Sequence, residues 1–339
     1  MKRSYEFPSR KAGQLTIFIG LGLIFLLQNI LSLRYFLRDT MITDSLTRAR
    51  QEMKICICLA DDRYTDTDMQ LNNIKSLQEL HQYARGLSQN WSNIKYWQKS
   101  ALMNSAYAIK SGYDVIMSDL SPYRDVFAEP RPSVWLKPSF MLDLQYKRPD
   151  CDWFALIDSD AYFWMSNHTV FLSQWFSTAS LHEASPGYYE FEAEKRNRRG
   201  FYDWDEQKAF LLVGLNGMFS SPAEGFPNVY EDEDNDFICA GVYFIKNGAR
   251  SKQFLHDWVS GPVDSSDEET AIMQEYAFKF SLEQRVLNMV MYPRYKDGFH
   301  IYSYRDFGSK NSPMIRHIWS AFHEERSCLM DKDLSALGF

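Results

Sequence analysis

The apolar positions of this chain fall into two kinds of run. One is a single stretch, Leu15 to Leu33, that carries no charge over 19 residues. As a helix it would measure about 28 Å against a hydrocarbon core of about 30 Å, so it predicts one membrane span. The other runs are short and end in acidic or polar residues. Lys54–Ala60 (KICICLA) stops at Asp61-Asp62, and Trp153–Ile157 (WFALI) stops at Asp158-Ser159-Asp160. Such compact runs are the pattern of buried strands opening into loops. Tyr113–Met117, Ala209–Val213 and Ile238–Ile245 add three more strands. Between them the pattern predicts helices over Gln70–Ala84, over Lys95–Lys110 with Gly112 as its stop, over Ser139–Tyr146 behind Pro138, and over Ser251–Val259 and Leu282–Val290. Strands alternating with helices predict an α/β fold with a parallel, doubly wound sheet.

The charges beside the apolar stretch orient it. Lys2, Arg3, Arg10 and Lys11 precede it against a single Glu6, whereas Arg34 and Arg38 beyond it are soon met by Asp39 and Asp44. That excess predicts a cytosolic N-terminus. A cleavable signal peptide would have a shorter apolar region ending in small residues, and Leu31-Ser32-Leu33-Arg34 offers no such site. The expected organisation is a cytosolic tail (1–14), a transmembrane signal anchor (15–33), a polar stem (34–52), a luminal domain (53–330) and a C-terminal tail (331–339). Asn90-Trp91-Ser92 and Asn167-His168-Thr169 are glycosylation acceptor tripeptides that agree with a luminal location.

Composition narrows the classes. With 339 residues, 45% hydrophobic, the chain can bury a large core. A net charge of −7 without a basic block argues against nucleic acid as the main partner. The 24 Phe, 20 Tyr and 9 Trp exceed ordinary core needs, and flat rings suit sugar faces. Five cysteines without a CxxC pair argue against a structural zinc site. Cys56 and Cys58 share one face of a strand and suit core packing better than a bond to each other. One distant disulfide stays open, and the odd count leaves at least one free thiol. Glu231-Asp232-Glu233-Asp234-Asn235-Asp236 reads as a solvated loop before a strand rather than a metal site.

The sharpest chemical signal is Asp158-Ser159-Asp160. In an open α/β sheet, ligands bind beyond the carboxyl ends of the strands, where this tripeptide stands. A hard divalent cation held by carboxylates neutralises the charge that builds on a departing diphosphate. An Asp pair that merely caps a turn is the bland alternative. A phosphatase-type aspartate nucleophile is a second, but it wants smaller residues than Ala161-Tyr162-Phe163 behind it.

In ordered blocks over most of residues 54–325 the chain resembles glycosyltransferase family 34, the α-galactosyl-, α-mannosyl- and α-xylosyltransferases of fungal and plant Golgi. Asn104-Ser105-Ala106-Tyr107-Ala108 with Ser111-Gly112-Tyr113-Asp114 is similar to that family's Asn-Lys-x-x-Tyr-Ala…His-Gly-Tyr segment. Trp135-Leu136-Lys137-Pro138, ahead of Asp158-Ser159-Asp160-Ala161, resembles its Trp-x-Lys helix and Asp-Ser-Asp-Ala strand. Ala240-Gly241-Val242-Tyr243-Phe244-Ile245-Lys246-Asn247, followed by Asp257-Trp258 and Gly261-Pro262, resembles a third block. Glu283-Gln284 and Pro313-Met314-Ile315-Arg316-His317 resemble two more.

The resemblance implies a GT-A fold, a Rossmann-like, mostly parallel sheet flanked by helices, and a retaining transfer of a hexose or pentose (galactose, mannose or xylose) from a UDP- or GDP-sugar to a glycan or glycoprotein. It further implies Mn²⁺ or Mg²⁺ held by Asp158, Asp160 and His317, with Glu283 and Gln284 near the reacting sugar carbon. Asp61, Lys137, Asp158, Ser159, Asp160, Gly241 and Ser320 would bind the donor. The location implied is the Golgi membrane, or the endoplasmic reticulum, with a single span and a luminal catalytic domain. The chain departs from the family at Ile238-Cys239-Ala240-Gly241, where the family has Leu-Asn-Thr-Gly. It departs again after His317, where Ser320 and Phe322 replace a Gly and a basic residue. Arg316, His323 or Arg326 is a candidate for that missing charge. These departures motivate an alternative, a catalytically weak or inactive member serving as scaffold in a Golgi glycosyltransferase complex.

Overall fold

The structure is a computed structural model that describes residues 53–87, 93–126, 131–164, 209–215, 238–276, 283–302, 315–318 and 323–339. The expected anchor, the stem, both glycosylation tripeptides, the acidic run at 231–236 and Ser320 lie outside these residues. Among the described residues no helix is long and apolar enough to cross a membrane.

The chain runs β1 (Ile55–Asp61), α1 (Leu77–Leu87), α2 (Tyr96–Ser111), β2 (Asp114–Asp119), α3 (Leu136–Lys147), β3 (Trp153–Ile157), β4 (Ala161–Phe163), β5 (Leu211–Leu215), β6 (Ile238–Lys246), α4 (Ala249–Ser260), α5 (Asp267–Tyr276), α6 (Glu283–Val286), α7 (Tyr292–Tyr295), β7 (Phe299–Tyr302), β8 (Ile315–His317) and α8 (His323–Ala336). Six strands form one sheet in the order β2-β1-β3-β6-β5-β7, and β4 pairs with β8 in a second, two-stranded sheet. The architecture is mixed α/β, with a mostly parallel central sheet flanked by helices.

β1 is buried along its whole length, as its unbroken apolar run requires of a strand covered on both faces. It lies parallel to β2 and β3. The sheet is mostly parallel, as expected, with its exception at β6, which runs antiparallel to both of its neighbours. An apolar run such as ICAGVYFI reads the same in either direction, so burial alone does not set the heading of a strand.

Local signals place the helices. The first begins later than its apolar period suggests, because Asp68–Asn73 forms a 3-10 turn. Ser76 and Glu79 then make a reciprocal cap that starts α1. The Glu79 N–H donates to Ser76 Oγ at 3.2 Å and the Ser76 N–H to Glu79 Oε2 at 3.1 Å. Gly112 ends α2 with φ +73° and donates its N–H to the Ala108 and Ile109 carbonyls, the left-handed cap that a Cβ would strain.

Cys56 on β1 forms a disulfide with Cys151 just before β3, across Cα atoms 6.0 Å apart. Cys58, Cys239 and Cys328 are free thiols. The last helix carries past residue 330, the expected end of the domain. Its Asp331 pairs with the fully buried Lys99 of α2 at 2.6 Å, and its buried Asp333 accepts from the Tyr162 hydroxyl at 2.7 Å and from Arg316. Residues 331–336 are thus helix, fastened to α2, β4 and β8.

A candidate metal centre at the carboxyl end of the sheet

The site is assembled where β3 ends. The Asp158 N–H donates to the Gly241 carbonyl of β6 at 2.8 Å, and the Ala161 N–H closes back on the Asp158 carbonyl at 2.9 Å. This tight turn exposes two carboxylates on either side of Ser159 and sends the chain into β4. Helix α2 fixes β4 from behind. Ser100 Oγ and Asn104 Nδ2 donate to the Ala161 carbonyl at 2.6 and 3.0 Å, and Asn104 Oδ1 accepts from the Phe163 N–H. Part of the Asn104-to-Ala108 sequence block therefore serves to hold the strand that follows the acidic pair.

The antiparallel pairing of β4 with β8 sets Ala161 opposite His317, and the Ile318 N–H donates to the Asp160 carbonyl at 3.0 Å. His317 Nε2 then lies 3.0 Å from Asp160 Oδ1, across 157 residues of sequence. Ligand atoms of Asp158, Asp160 and His317 all fall within 4.8 Å of one another, a group able to hold a metal ion. Two carboxylates and an imidazole suit a divalent ion of the Mn²⁺ type. Gly241 makes this convergence possible. A Cβ there would sit 2.7 Å from His317 Cε1 and 3.2 Å from Asp158 Oδ2.

Two cations face the carboxylates. Lys137 of α3 places Nζ 2.7 Å from Asp158 Oδ1, with a side chain only 10% exposed. Arg326 of α8, 4% exposed, has Nη1 3.6 Å from Asp160 Oδ2 and its guanidinium 3.5 Å above the Tyr96 ring. On the far side of the imidazole, Cys239 Sγ lies 3.6 Å from His317 Nδ1. Burial alone would raise the Asp160 carboxyl, but His317, Lys137 and Arg326 outweigh it and hold Asp160 below the usual carboxylate range. The imidazole responds in the opposite sense. Burial would lower it, and Asp160, with Cys239 behind, raises it well above an ordinary histidine. Lys137 is likewise raised against its burial by Asp158 and Glu283.

Glu283 opens α6 behind this cluster. Burial pushes its carboxyl up to about 7; Lys137 opposes the shift and Asp158 adds to it. Its Oε2 has no hydrogen-bond partner among the described residues, and neither does the buried Tyr243 hydroxyl. Gln284 is turned toward the backbone, where its Oε1 accepts from the Ala240 N–H at 3.1 Å. Asn288, in the π-helical turn Leu287–Met291, bonds both the N–H and the carbonyl of Ile238, at 2.8 and 3.0 Å. Glu283 and Gln284 are thereby held against the start of β6.

Of the other expected donor residues, Asp61 and Ser159 meet at Arg63. Its Nε donates to Asp61 Oδ1 at 2.6 Å and its Nη2 to Ser159 Oγ at 2.7 Å, while the guanidinium lies over the Trp97 ring at 4.7 Å. Arg63 is absent from the residues expected from sequence; its one signal there is a position two residues after the strand-end Asp61. Among the candidates for the charge beyond His317, Arg316 turns away to Asp333 and to the Trp164 ring, at 4.0 Å. Arg326 faces the acidic pair. His300 stands on β7 at the edge of the main sheet, and His317 supplies the imidazole.

No family model matches this sequence, and no curated protein aligns with it. Among solved structures, the chain is similar to a glycosyltransferase involved in the glycosylation of the major capsid of PBCV-1, at 13% identity and a TM-score of 0.46, over 82% of this chain and 99% of that one. It is also similar to the galactosyltransferase LgtC in complex with donor and acceptor sugar analogs, at 11% identity and a TM-score of 0.33, over 82% and 95% of the two chains.

Proposed function

We propose that the chain is a metal-dependent glycosyltransferase of the family 34 type with a GT-A fold, moving a hexose or pentose from a UDP- or GDP-sugar to a glycan with retention at the anomeric carbon. The observation that carries the reading is the closure of Asp158, Asp160 and His317 into one cluster by the pairing of β4 with β8. A strand-end acidic pair that merely capped a turn would not need a buried histidine delivered from 157 residues away.

In this reading Asp158, Asp160 and His317 hold Mn²⁺ or Mg²⁺. Bound there, the ion supplies Lewis-acid stabilisation of the leaving diphosphate. Lys137, fixed by Asp158, and Arg326, held by Tyr96 and Asp160, would add positive charge beside that diphosphate. Arg63, Asp61 and Ser159 line the donor side. Glu283, whose carboxyl is pushed up to about 7, holds or releases a proton near neutral pH and would lie near the sugar face. Gln284 acts chiefly by fixing the Ala240 backbone beside it. A type II anchor at residues 15–33 and a luminal, Golgi or endoplasmic reticulum location complete the proposal; the Cys56–Cys151 disulfide agrees with an oxidising compartment.

The test is release of UDP or GDP from a panel of UDP- and GDP-sugars by the full chain in detergent, with and without Mn²⁺. Mn²⁺-dependent release with one donor supports the reading. Nucleotide binding without turnover on any donor favours the scaffold alternative, which the departures at Ile238-Cys239 and Ser320 motivate. A chain that neither binds nor releases nucleotide sinks both.

A further inference from the structure

We propose that Arg326 makes metal binding at the Asp158, Asp160 and His317 cluster conditional on an anion of the nucleoside diphosphate class, an inference that rests on the metal site of the reading above. The two carboxylates of the cluster are already matched by fixed cations, Lys137 at 2.7 Å from Asp158 and Arg326 at 3.6 Å from Asp160. These cations come from different helices, and both side chains are nearly enclosed, at 10% and 4% exposure. A divalent ion entering alone would bring two further positive charges into a place where water screens little. A diphosphate arriving with the ion restores the balance.

Arg326 is the better placed of the two cations to respond. Its guanidinium is stacked on the Tyr96 face, an arrangement that stabilises the charge through the ring and leaves the planar N–H edge directed sideways, toward Asp160. Its contact with Asp160, at 3.6 Å, is longer than a hydrogen bond and involves Oδ2, the oxygen opposite the one facing His317. Transfer of that guanidinium from Asp160 to a phosphate would release the carboxylate to the ion. The other basic residues of the region are bound elsewhere. Lys99 pairs with Asp331, Arg316 with Asp333, and Arg63 with Asp61 and Ser159, none of which belongs to the metal-holding group. By linkage, the ion must then tighten the anion by the same factor as the anion tightens the ion.

The experiment measures Mn²⁺ affinity of the full chain by the electron paramagnetic resonance of free Mn²⁺, alone and with saturating UDP, in wild type, Arg326→Met and Arg326→Lys. Wild type is expected to bind Mn²⁺ weakly alone and at least about tenfold tighter with UDP. Arg326→Met should bind Mn²⁺ alone about tenfold tighter than wild type and lose most of the UDP effect, and Arg326→Lys, which keeps the charge without the stacked planar edge, should fall between the two. Equal or weaker Mn²⁺ binding by a folded Arg326→Met, with UDP coupling intact, overturns the proposal while leaving the metal site standing. A wild type that binds no Mn²⁺ with or without UDP overturns the metal reading itself. If Arg326→Met does not fold, Arg326→Gln carries the same comparison.

Discussion

The two ends of the same sheet each carry a cluster of charged residues, and they differ in what surrounds them. At the amino end, Lys54 meets Asp150 at 2.5 Å and Asp114 at 3.3 Å, and Arg148 meets both of those carboxylates. Side chains there are 30 to 46% exposed. At the carboxyl end, Asp158, Asp160, Lys137, His317 and Arg326 are between 4 and 22% exposed, and Glu283 behind them keeps an oxygen without a partner. Residue types are nearly the same at both ends. In water the amino-end pairs are screened and each charge has its counter-charge, so the cluster ties strand ends together and does little else. Enclosure at the other end makes each unmet charge costly and each added charge strongly felt, which is the condition for holding an ion and a phosphate.

The comparison breaks most sharply on activity. Asp158→Asn or Asp160→Asn should lower transfer more than a hundredfold, about 3 kcal/mol or more of transition-state stabilisation, with little change in melting temperature. Asp150→Asn at the amino end should leave transfer unaltered. Equal losses from both ends, read from initial rates on the responsive donor, would erase the distinction.

Stability against pH gives the next largest effect. The Glu283 carboxyl stands at about 7 in the folded chain against 4.5 for the free group, so the folded state binds the extra proton between those values. Its contribution is complete below about pH 4.5 and is lost as pH rises through about 7. Glu283→Gln, which cannot ionise, should therefore be more stable than wild type by about 3 kcal/mol at pH 8 and nearly equal to it near pH 4.5. Urea unfolding at the two pH values checks this, and a constant difference would place the carboxyl in a solvated setting like that of Asp150.

Crowding at the carboxyl end supplies a third handle. Gly241→Ala puts a Cβ 2.7 Å from His317 Cε1, so the imidazole must shift. Mn²⁺ affinity with UDP present should fall about tenfold, as expected when a ligand is moved from its optimal position. Unchanged affinity would mean that His317 is not a ligand. The smallest effect belongs to the exposed end. Lys54→Met should change unfolding free energy by no more than about 1 kcal/mol, because its pairs are solvent-screened. A loss of several kcal/mol would show that the amino-end cluster is enclosed after all.

Much of this arrangement is legible in the order of residues alone. The apolar runs at 54–60 and 153–157 announce buried strands ending in Asp61 and Asp158, because a strand covered on both faces must be apolar until it emerges. Gly112 announces a helix stop for an equally local reason. Ser76 and Glu79, three residues apart, also hold the signal for the true start of α1, but the apolar period beginning near Gln70 masks it. Gln284 accepts from the backbone of Ala240, a contact across 44 residues that no local pattern encodes.

By itself, then, the sequence marked the long strands of the main sheet and where acidic side chains emerge from it, since burial and turn chemistry act within a few neighbouring residues, but it left the short strands β4 and β7 and the helices α5 and α8 unmarked. Tertiary structure alone decided that β6 runs against its neighbours, that Cys56 bonds Cys151, and that Arg326 rather than Arg316 faces Asp160. Each of these depends on pairing between segments far apart in the chain. Such pairing is set by the packing of the whole domain, and the residues that meet there carry no mark of it in their own surroundings.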